Sequence, residues 1–459
     1  MIIIILGAGQ VGTTAAENLS REKSNEVTVV DVDPDRLREL QDRLDIQTVQ
    51  GHAAYPDVLE KAGARDADMI IALTNSDETN MVACQVAYTF FHTHIKIARI
   101  RAAEYTTFAK KMFTHDSLAV DVIISPEQLV TEHIEQLIHY PGALLVLDFA
   151  EGKVRLVSVR AHKEGLLVGQ KLKTLKEHIP DVETRVAAIY RRDQSIPVEG
   201  DTIIHEGDEV FFIAARKNIR VVMSELRKLE EPVRRVVIAG GGNIGFRLAK
   251  ALEETNQVKL IERDRNRARI ISEKLNRTIV LHGDATNEEK MREENIDAAD
   301  VFCAVTDREE ANILSAMLAR RMGANKVMAL INRPVFADIV ERGSIDIAIS
   351  PQQITIGSLL ADIRRGDVTR VHALRRGNAE AMEVVAHGDM RTSRVVGRTI
   401  EELPLPAGTT ISAIVRGNDV VMAHHDTVIE SDDHVILFIT EREHVSKVER
   451  LFETDVTFV

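Results

Sequence analysis

The sequence predicts an α/β protein with two tandem Rossmann-like doubly wound parallel sheets, each followed by a small α+β domain. Three observations predict this fold. Runs rich in valine and isoleucine alternate with segments of helical periodicity, a glycine-rich turn follows the first strand of each half, and the landmarks of residues 1–138 recur in the same order in residues 231–365. Strand–helix alternation favours a parallel sheet with helices on both faces, and self-similarity indicates a duplicated unit.

The alternation is clearest in the first half of the chain. Short apolar runs bounded by turn residues predict strands, and a 3.6-residue period predicts helices. The predicted strands are 2–6, 27–31, 68–73, 95–100 and 120–124, and the helical segments include 36–44 and 78–91. The run from Met1 to Leu6 lacks the basic flank and the length of a signal peptide, so it predicts a buried first strand.

Five landmarks pair the two halves: a glycine-rich turn, a strand that ends in an acid, a glycine after the third strand, a threonine after the fourth strand and a Ser-Pro step. The pairs are Gly7-Ala8-Gly9-Gln10-Val11-Gly12 with Gly240-Gly241-Gly242-Asn243-Ile244-Gly245, Asp31-Val32 with Glu262-Arg263, Gly51-His52-Ala53 with Gly283-Asp284-Ala285, Leu73-Thr74 with Val305-Thr306, and Ser125-Pro126 with Ser350-Pro351. An asparagine follows each threonine six residues later, at Asn80 and Asn312.

The pattern changes after each large unit. Residues 143–215 and 369–440 hold short strands broken by turn signals, and they repeat too, since Val168-Gly169-Gln170 matches Val396-Gly397-Arg398. The link between the halves lies near Glu230-Glu231-Pro232. We therefore predict Rossmann-like nucleotide-binding domains over residues 1–138 and 231–365, and small α+β domains over residues 139–230 and 366–459.

Composition excludes several classes of protein. Lys and Arg number 58 against 71 Asp and Glu, and the resulting net charge of -13 opposes binding to nucleic acid. Only Cys84 and Cys303 are present, each in an apolar segment, so a secreted disulfide framework is excluded and a reducing cytoplasm is favoured. No apolar run approaches the roughly 18 residues that a membrane-spanning helix needs. Any membrane role is therefore expected to be peripheral.

The two glycine-rich turns predict phosphate binding. A lone G-x-G-x-x-G pattern is a weak signal, but both copies here follow a predicted strand and open a predicted helix. The first glycine permits a tight turn, the second lets the backbone approach a pyrophosphate, and the third lets helix and strand pack closely. Phosphate then binds the free N–H groups at the helix N-terminus. The alternative is that the glycines serve turn and packing needs alone.

Asp31 and Glu262 end the second strand of each unit. A carboxylate at this position accepts hydrogen bonds from the hydroxyls of an adenosine ribose and repels a 2'-phosphate, so NAD(H) or ATP/ADP is favoured over NADP. The alternative is that each acid only caps the end of its strand.

Further candidates follow other strands, at the edge of the sheet where open α/β folds bind ligands. Gly51, His52 and Ala53, like Gly283, Asp284 and Ala285, follow the third strand, and Leu73, Thr74, Val305 and Thr306 follow the fourth. Each threonine either contacts the ligand or caps the next helix. Arg99 ends the fifth strand and offers a bidentate fork to phosphate, with Arg333 as a looser counterpart. Solvation at the surface is the alternative for both arginines.

Catalytic apparatus is not evident in the sequence. A dehydrogenase needs a second domain that brings a proton-relaying His, Lys or Tyr to the nicotinamide, and the segments after each large unit carry no such constellation. No G-x-S-x-G, H-E-x-x-H or C-x-x-C motif occurs, and neither turn ends in the Lys-Ser/Thr of a P-loop. The histidine pairs His92/His94 and His424/His425 are interpreted as solvated rather than metal-binding. We expect neither a catalytic nor a metal site.

With these motifs in view, the chain resembles the TrkA family over essentially its full length. This family comprises cytosolic regulatory subunits of Trk potassium-uptake systems, built from two RCK (KTN) domains. The matching parts are the segment from Ile5 to Gly12, His282-Gly283-Asp284-Ala285-Thr286, the segment from Thr74 to Asn80, and the turns with Gly207-Asp208 and Asp432-Asp433. Two positions depart from the pattern: His52 stands where the family and the second copy have an acid, and Gly241 replaces an alanine.

The resemblance implies a function. In that family the large lobes bind NAD(H) and adenine nucleotides (ATP/ADP) and assemble into a ring beneath a membrane subunit. Two units per chain then imply a homotetramer, and the implied partner is an integral membrane potassium-translocating subunit of the TrkH/TrkG type. The implied location is cytoplasmic, peripheral to the inner face of the cell membrane.

We therefore expect a nucleotide sensor that gates potassium uptake. Two alternatives remain at this point: an NAD-dependent dehydrogenase, and an adaptor that binds nucleotide only for stability.

Overall fold

A computed structural model gives the structure of residues 1–22, 25–114, 117–192, 194–333, 336, 343, 345–363, 368–374 and 378–453. The chain divides into two compact units, residues 1–129 with 354–359, and residues 130–353 with 360–459. The division into four domains, residues 1–138, 139–230, 231–365 and 366–459, stays a prediction.

The first large lobe is a six-stranded sheet. Its strands are β1 (Ile2–Leu6), β2 (Glu26–Asp31), β3 (Gln47–Gln50), β4 (Met69–Ala72), β5 (Ile95–Arg99) and β6 (Val122–Ile124). They lie in the order β3-β2-β1-β4-β5-β6, and every pair is parallel. The first three strands extend the sheet to one side of β1, and the next three extend it to the other side. The strand order therefore reverses between β1 and β4, and ligands bind at such a switch point in open α/β folds.

Helices cover this sheet on both faces, which explains why β1 and β4 are uninterrupted apolar runs. The helices are α1 (Gln10–Leu19), α2 (Pro34–Arg43), α3 (Pro56–Lys61), α4 (Asp77–Val86), α5 (Ala103–Thr107) and α6 (Ala109–Met112). Helix α7 (Pro126–His139) follows β6 in the chain. A π-helical segment, Ala87–Phe91, extends α4 and ends at His92 in the left-handed region.

The second large lobe repeats this sheet. Its strands are β12 (Arg235–Ala239), β13 (Gln257–Glu262), β14 (Ile279–His282), β15 (Val301–Ala304), β16 (Lys326–Leu330) and β17 (Ile347–Ile349), in the order β14-β13-β12-β15-β16-β17. The helices are α10 (Asn243–Leu252), α11 (Arg265–Lys274), α12 (Glu288–Glu293), α13 (Glu309–Met322) and α14 (Pro351–Ile363). Helix α13, the counterpart of α4, has no π-helical extension and ends at Gly323, a C-cap residue in the left-handed region with a φ of 115°.

Each small domain is a five-stranded antiparallel sheet. The first holds β7 (Ala143–Phe149), β8 (Val154–Arg160), β9 (Thr184–Arg191), β10 (Gln194–Ile196) and β11 (Glu209–Ala215); the second holds β18 (Val368–Leu374), β19 (Ala379–Ala386), β20 (Thr409–Arg416), β21 (Asp419–Met422) and β22 (Asp433–Ile439). The orders are β10-β9-β11-β8-β7 and β18-β19-β22-β20-β21, the same topology read from opposite edges.

Short helices accompany these sheets: α8 (Leu175–His178), α9 (Ile219–Leu226), α15 (Val445–Phe452) and 3-10 turns at Ala150–Gly152, Leu172–Thr174, Arg216–Asn218, Ile400–Glu402 and Arg442–His444. Another 3-10 turn, Ile296–Ala298, lies in the second large lobe.

One hydrophobic core joins the two small domains. Phe149 and Phe211 of the first domain and Phe438 of the second are almost fully buried in it, and the rings of Phe211 and Phe438 lie 5.3 Å apart. A buried arginine–carboxylate pair anchors the same turn in each domain, since Arg191 donates to both oxygens of Asp208 and Arg416 donates to both oxygens of Asp433, all at 2.8 Å. The predicted fold class, with two Rossmann-like parallel sheets each followed by an α+β domain, is confirmed.

Candidate functional site

The two glycine-rich turns have the same backbone geometry. Gly7 and Gly240 take φ values of 106° and 109°, which only glycine adopts without strain. A Cβ at Gly12 would overlap the carbonyl oxygen of Gly7, so the third glycine is required for helix packing. A Cβ at Gly9, by contrast, would meet no protein atom within 4 Å, and neither would one at Gly242. The second glycine of each turn therefore faces open space.

Each turn presents a free helix N-terminus to that space. Gly9 is the N-cap of α1, Gly242 is the N-cap of α10, and no side chain among the described residues caps either helix. Gln10 and Asn243, the first residues of the two helices, are exposed. Unpaired N–H groups and the positive end of the helix dipole make such a terminus suited to an anion.

The two acids at the ends of β2 and β13 hold the turns in place. Asp31 accepts the N–H of Ala8 at 2.5 Å with one oxygen and the N–H of Asp33 at 2.9 Å with the other. Glu262 does the same for Gly241 and Asp264, both at 2.7 Å. A carboxylate oxygen has two acceptor sites, so each acid retains capacity for a ribose hydroxyl. The sequence did not reveal this second, structural role.

The threonines after β4 and β15 serve the fold through the two asparagines. The hydroxyl of Thr74 donates to the side-chain oxygen of Asn80 at 2.6 Å, and the same bond joins Thr306 to Asn312 at 2.6 Å. Each buried asparagine also donates to the end of the next strand, at the carbonyls of Arg99 (2.9 Å) and Leu330 (3.1 Å). The interpretation of the threonines as helix caps is wrong, because Ser76 and Arg308 occupy the N-cap positions of α4 and α13.

The preceding residues Leu73 and Val305 are buried at 3% and 5% exposure. Their neighbours, Thr74 and Thr306, line the glycine turns, since a Cβ on Gly7 would touch the N atom of Thr74 at 3.1 Å and one on Gly240 would touch the N atom of Thr306 at 2.9 Å. Ligand contact by any of the four stays a prediction.

The turns after the third strands have different side chains in the two lobes. His52 stacks on Tyr55 with ring centroids 4.6 Å apart, and its Nδ1 accepts the N–H of Ala54 at 3.4 Å. In the second lobe Asp284 accepts the N–H and the hydroxyl of Thr286 at 2.9 and 2.7 Å. Those two hydrogen bonds, followed by the charges of Arg263 and Arg308, hold the pKa of Asp284 below its ordinary value.

The arginines after the fifth strands are engaged with acids. Arg99 lies at the end of β5 and contacts Glu127 at 3.3 Å. Strand register aligns Arg99 with Leu330, so Arg333 is not its counterpart. Arg333 instead donates to Glu309 at 3.0 Å, as Arg101 does to Asp77 at 3.2 Å. Ligand binding by Arg99 stays a prediction. Its guanidinium would have to contact the ligand while it keeps the ion pair with Glu127.

Sequence reasoning missed three side chains near these turns. The ring of Tyr55 stacks on that of His52, and Arg308 is the N-cap residue of α13, two residues after Thr306. Arg267 donates to the carbonyl of Gly241 at 2.9 Å. The spacing of Asp33 and Asp264, two residues after Asp31 and Glu262, was the available signal for this region. Both cap the next helix, since Asp33 accepts the N–H of Asp35 and Asp264 accepts the N–H of Arg267.

A cavity of about 1320 Å³ lies elsewhere, between the first small domain and the second large lobe. Three of its cations have protein partners: Arg227 donates to the carbonyl of Gly142 at 2.9 Å, Arg320 contacts Asp346 at 2.6 Å, and Lys326 donates to the carbonyl of Ala143 at 3.1 Å. Burial lowers the pKa of Lys326. With these three cations engaged by the protein, this cavity is a weaker ligand candidate than the turns.

Two further groups carry side chains of potential chemical interest, the two cysteines and a surface cluster of acids with a histidine. Cys84 and Cys303 are fully buried, and burial raises the pKa of each thiol to about 12, which disfavours the reactive thiolate. Glu441, Glu443 and His444 hold potential metal ligands within 4.8 Å of one another on the surface. Neither group lies at a glycine turn. Within the described ranges, no helix combines the length and apolarity that crossing a bilayer requires.

The fold and the open turns define a class: a tandem repeat of Rossmann-type nucleotide-binding lobes, each with a small antiparallel domain. The TrkA-N domain model matches residues 3–126 and 236–351, and the TrkA-C domain model matches residues 156–227 and 390–453. Proteins named Trk system potassium uptake protein TrkA are 59% identical in Halomonas elongata, 57% in Vibrio alginolyticus and 48% in Haemophilus influenzae, each with full coverage of both chains. The chain belongs to the TrkA family of Trk system potassium uptake proteins.

Solved structures share the fold at low sequence identity. The RCK domain of GsuK aligns with a TM-score of 0.62 at 18% identity, covering 97% of this chain and 94% of that one. The GsuK channel bound to NAD aligns with a TM-score of 0.61 at 18% identity, covering 98% of this chain and 78% of that one.

Proposed function

We propose that the chain is a nucleotide-sensing regulatory subunit that gates a membrane potassium-uptake channel. The observation that carries the proposal is the pair of glycine turns, in which an uncapped helix N-terminus, an outward-facing glycine and a carboxylate surround open space. Membership of the TrkA family supports the link to potassium uptake, and the GsuK channel bound to NAD has the same fold.

The ligands that suit this geometry are NAD(H) and ATP/ADP. Pyrophosphate would bind the N–H groups at the start of α1 and α10, and the ribose would lie at Asp31 and Glu262. The remaining predicted contacts are residues 7–12, 51–53, 240–245 and 283–285, together with Val32, Leu73, Thr74, Arg99, Arg263, Val305 and Thr306. The crystal structure of GsuK bound to ADP also supports a diphosphate ligand.

The proposed mechanism is a change in the orientation of the lobes. A ligand shifts such an equilibrium only by its difference in affinity for the two states. In the proposed assembly, a homotetramer places eight large lobes in a ring at the inner face of the membrane, against an integral subunit of the TrkH/TrkG type. No catalytic step is needed for this mechanism.

The test uses the outward-facing glycines. Gly9→Ala and Gly242→Ala add a methyl group that meets no protein atom, with φ values of -75° and -65° that alanine adopts freely, so each variant is expected to fold. The methyl group would obstruct the pyrophosphate, so affinity for NADH or ADP at the altered site should fall about tenfold or more. Calorimetric titration of the full chain measures this, and potassium flux through the reconstituted system measures the response.

Gly200→Ala is the matched control, because its added methyl group makes only an ordinary 3.6 Å contact with the Cβ of Lys173 in a small domain. It should leave nucleotide affinity unchanged. Unaltered affinity in the Gly9→Ala Gly242→Ala double variant would refute binding at the turns, and flux independent of nucleotide would favour an adaptor. Hydride transfer by the purified protein would favour a dehydrogenase.

Asp31→Ala and Glu262→Ala are poorer tests. Each acid accepts two backbone N–H groups of its own turn, so its removal damages the turn whether or not a ligand binds.

A further inference from the structure

Each glycine turn borders a crevice at the carboxyl ends of the strands, and the two crevices differ where the base of a nucleotide would lie. With phosphate at the glycine turn and ribose at the acid after β2 or β13, the base extends over the end of the next strand. The N–H of Gly51 donates to the carbonyl of Asp31 and the N–H of Gly283 donates to the carbonyl of Glu262, both at 2.9 Å. His52 and Asp284 therefore follow directly beside the ribose position in each lobe.

The first crevice offers apolar and aromatic surface at this point. Val32, which follows Asp31, is 61% exposed, and the imidazole of His52 lies on the ring of Tyr55. Because Nδ1 of His52 accepts the N–H of Ala54, its Nε2 carries the proton in the neutral ring and is a donor. This surface suits the face of a base, and it has a neutral ring where the second crevice has the carboxylate of Asp284.

The second crevice offers ionic groups at the aligned positions. Arg263 replaces Val32, Asp284 replaces His52, and Asn287 replaces Tyr55 as the N-cap before the next helix. Both hydrogen bonds from Thr286 fall on Oδ1 of Asp284, which fixes the carboxylate and leaves Oδ2 without a donor among the described residues. The lowered pKa keeps this oxygen an anionic acceptor at neutral pH.

We propose that the second site reads the exocyclic amino group of adenine through Oδ2 of Asp284, whereas the first site holds the base by ring contacts and does not read that group. This inference rests on the proposed function and deepens it. The two sites of one chain thereby differ in selectivity: the second is specific for adenine nucleotides, and the first tolerates other purines. Hydrogen bonds to charged groups are stronger than neutral ones, and a site built for a donor rejects an analogue without it.

The experiment compares ADP with inosine diphosphate, which has a carbonyl acceptor in place of the amino group. Titrations use the full chain carrying Gly9→Ala, in which only the second site is intact, and the full chain carrying Gly242→Ala, in which only the first is intact. The second site should bind ADP about tenfold or more tightly than inosine diphosphate. The first site should bind the two within about threefold of each other.

Two substitutions test Asp284 and His52 directly. Asp284→Asn keeps an oxygen for Thr286 and turns an amide N–H₂ toward the base, so it should reverse the preference toward inosine diphosphate in the second site. His52→Asp in the first site should create a preference for ADP. Equal ADP preference at the two sites, or an unchanged preference in Asp284→Asn, would overturn the inference while leaving nucleotide binding intact. Absence of any nucleotide binding would instead remove the proposed function.

Discussion

The two large lobes build the same glycine turn with the same hydrogen bonds and then surround it with different side chains. The acids of β2 and β13 accept equivalent backbone N–H groups, and Asn80 and Asn312 make equivalent bonds. At the mouth of each crevice, Val32 and His52 contrast with Arg263 and Asp284. The bonds that form the turn are thus the same in both copies, and the difference lies in the groups that face a ligand.

The largest effect is expected at the third glycine of each turn. Gly12→Ala and Gly245→Ala would each drive a methyl group into the carbonyl oxygen at the start of the same turn. Because both helices pack on their strands through this contact, each substitution should destabilise its lobe by about 3 kcal/mol or more. Denaturant unfolding measures the loss, and Gly9→Ala in the same turn is the control, with a change below about 1 kcal/mol. A fully stable Gly12→Ala variant would contradict the geometry of the turn.

The buried asparagines are expected to matter somewhat less, and equally. Asn80→Ala and Asn312→Ala each leave the threonine N–H and the carbonyl of the neighbouring strand end without their partner. Unsatisfied buried groups cost about 1–3 kcal/mol each. Three of these four bonds are only partly buried, so a loss at the lower end of the sum, about 2–3 kcal/mol, is expected for each variant. The same unfolding measurements test this. A loss in one lobe alone would show that the matching hydrogen bonds do not contribute equally.

Much of this arrangement is local and was predictable. Glycine spacing, the acid at the end of the second strand and the strand–helix alternation depend on neighbours in sequence. The partners of Asn80, Asp31 and Arg333 were not predictable, because each bond joins segments that are distant in sequence and meet only in the folded lobe. The core shared by the small domains depends likewise on which sheet faces pack together.

The two small domains provide a second contrast, at one position of their first strands. Strand register aligns Leu147 of β7 with His372 of β18. Nε2 of His372 is buried without a hydrogen-bond partner among the described residues, and its ring meets Phe149 edge-on at 5.3 Å. Burial, followed by the charges of Arg370 and His133, lowers the pKa of His372 to about 3, and burial lowers that of His133 to about 4.

This contrast predicts a loss of stability at mildly acidic pH. An unfolded histidine has a pKa near 6.5, so below that pH the unfolded chain takes up protons that these folded rings do not bind. Stability therefore falls as the pH drops from about 6.5 toward the folded pKa values, by up to about 2 kcal/mol for each ring at pH 5. His372→Leu, which copies the first domain, should remove its share, so the free energy of unfolding relative to wild type should rise between pH 8 and pH 5. The exposed His425→Leu is the control and should not alter that difference. If the two variants show the same pH dependence, the neutral state of His372 is not a determinant of stability, and the contrast with Leu147 is one of packing alone.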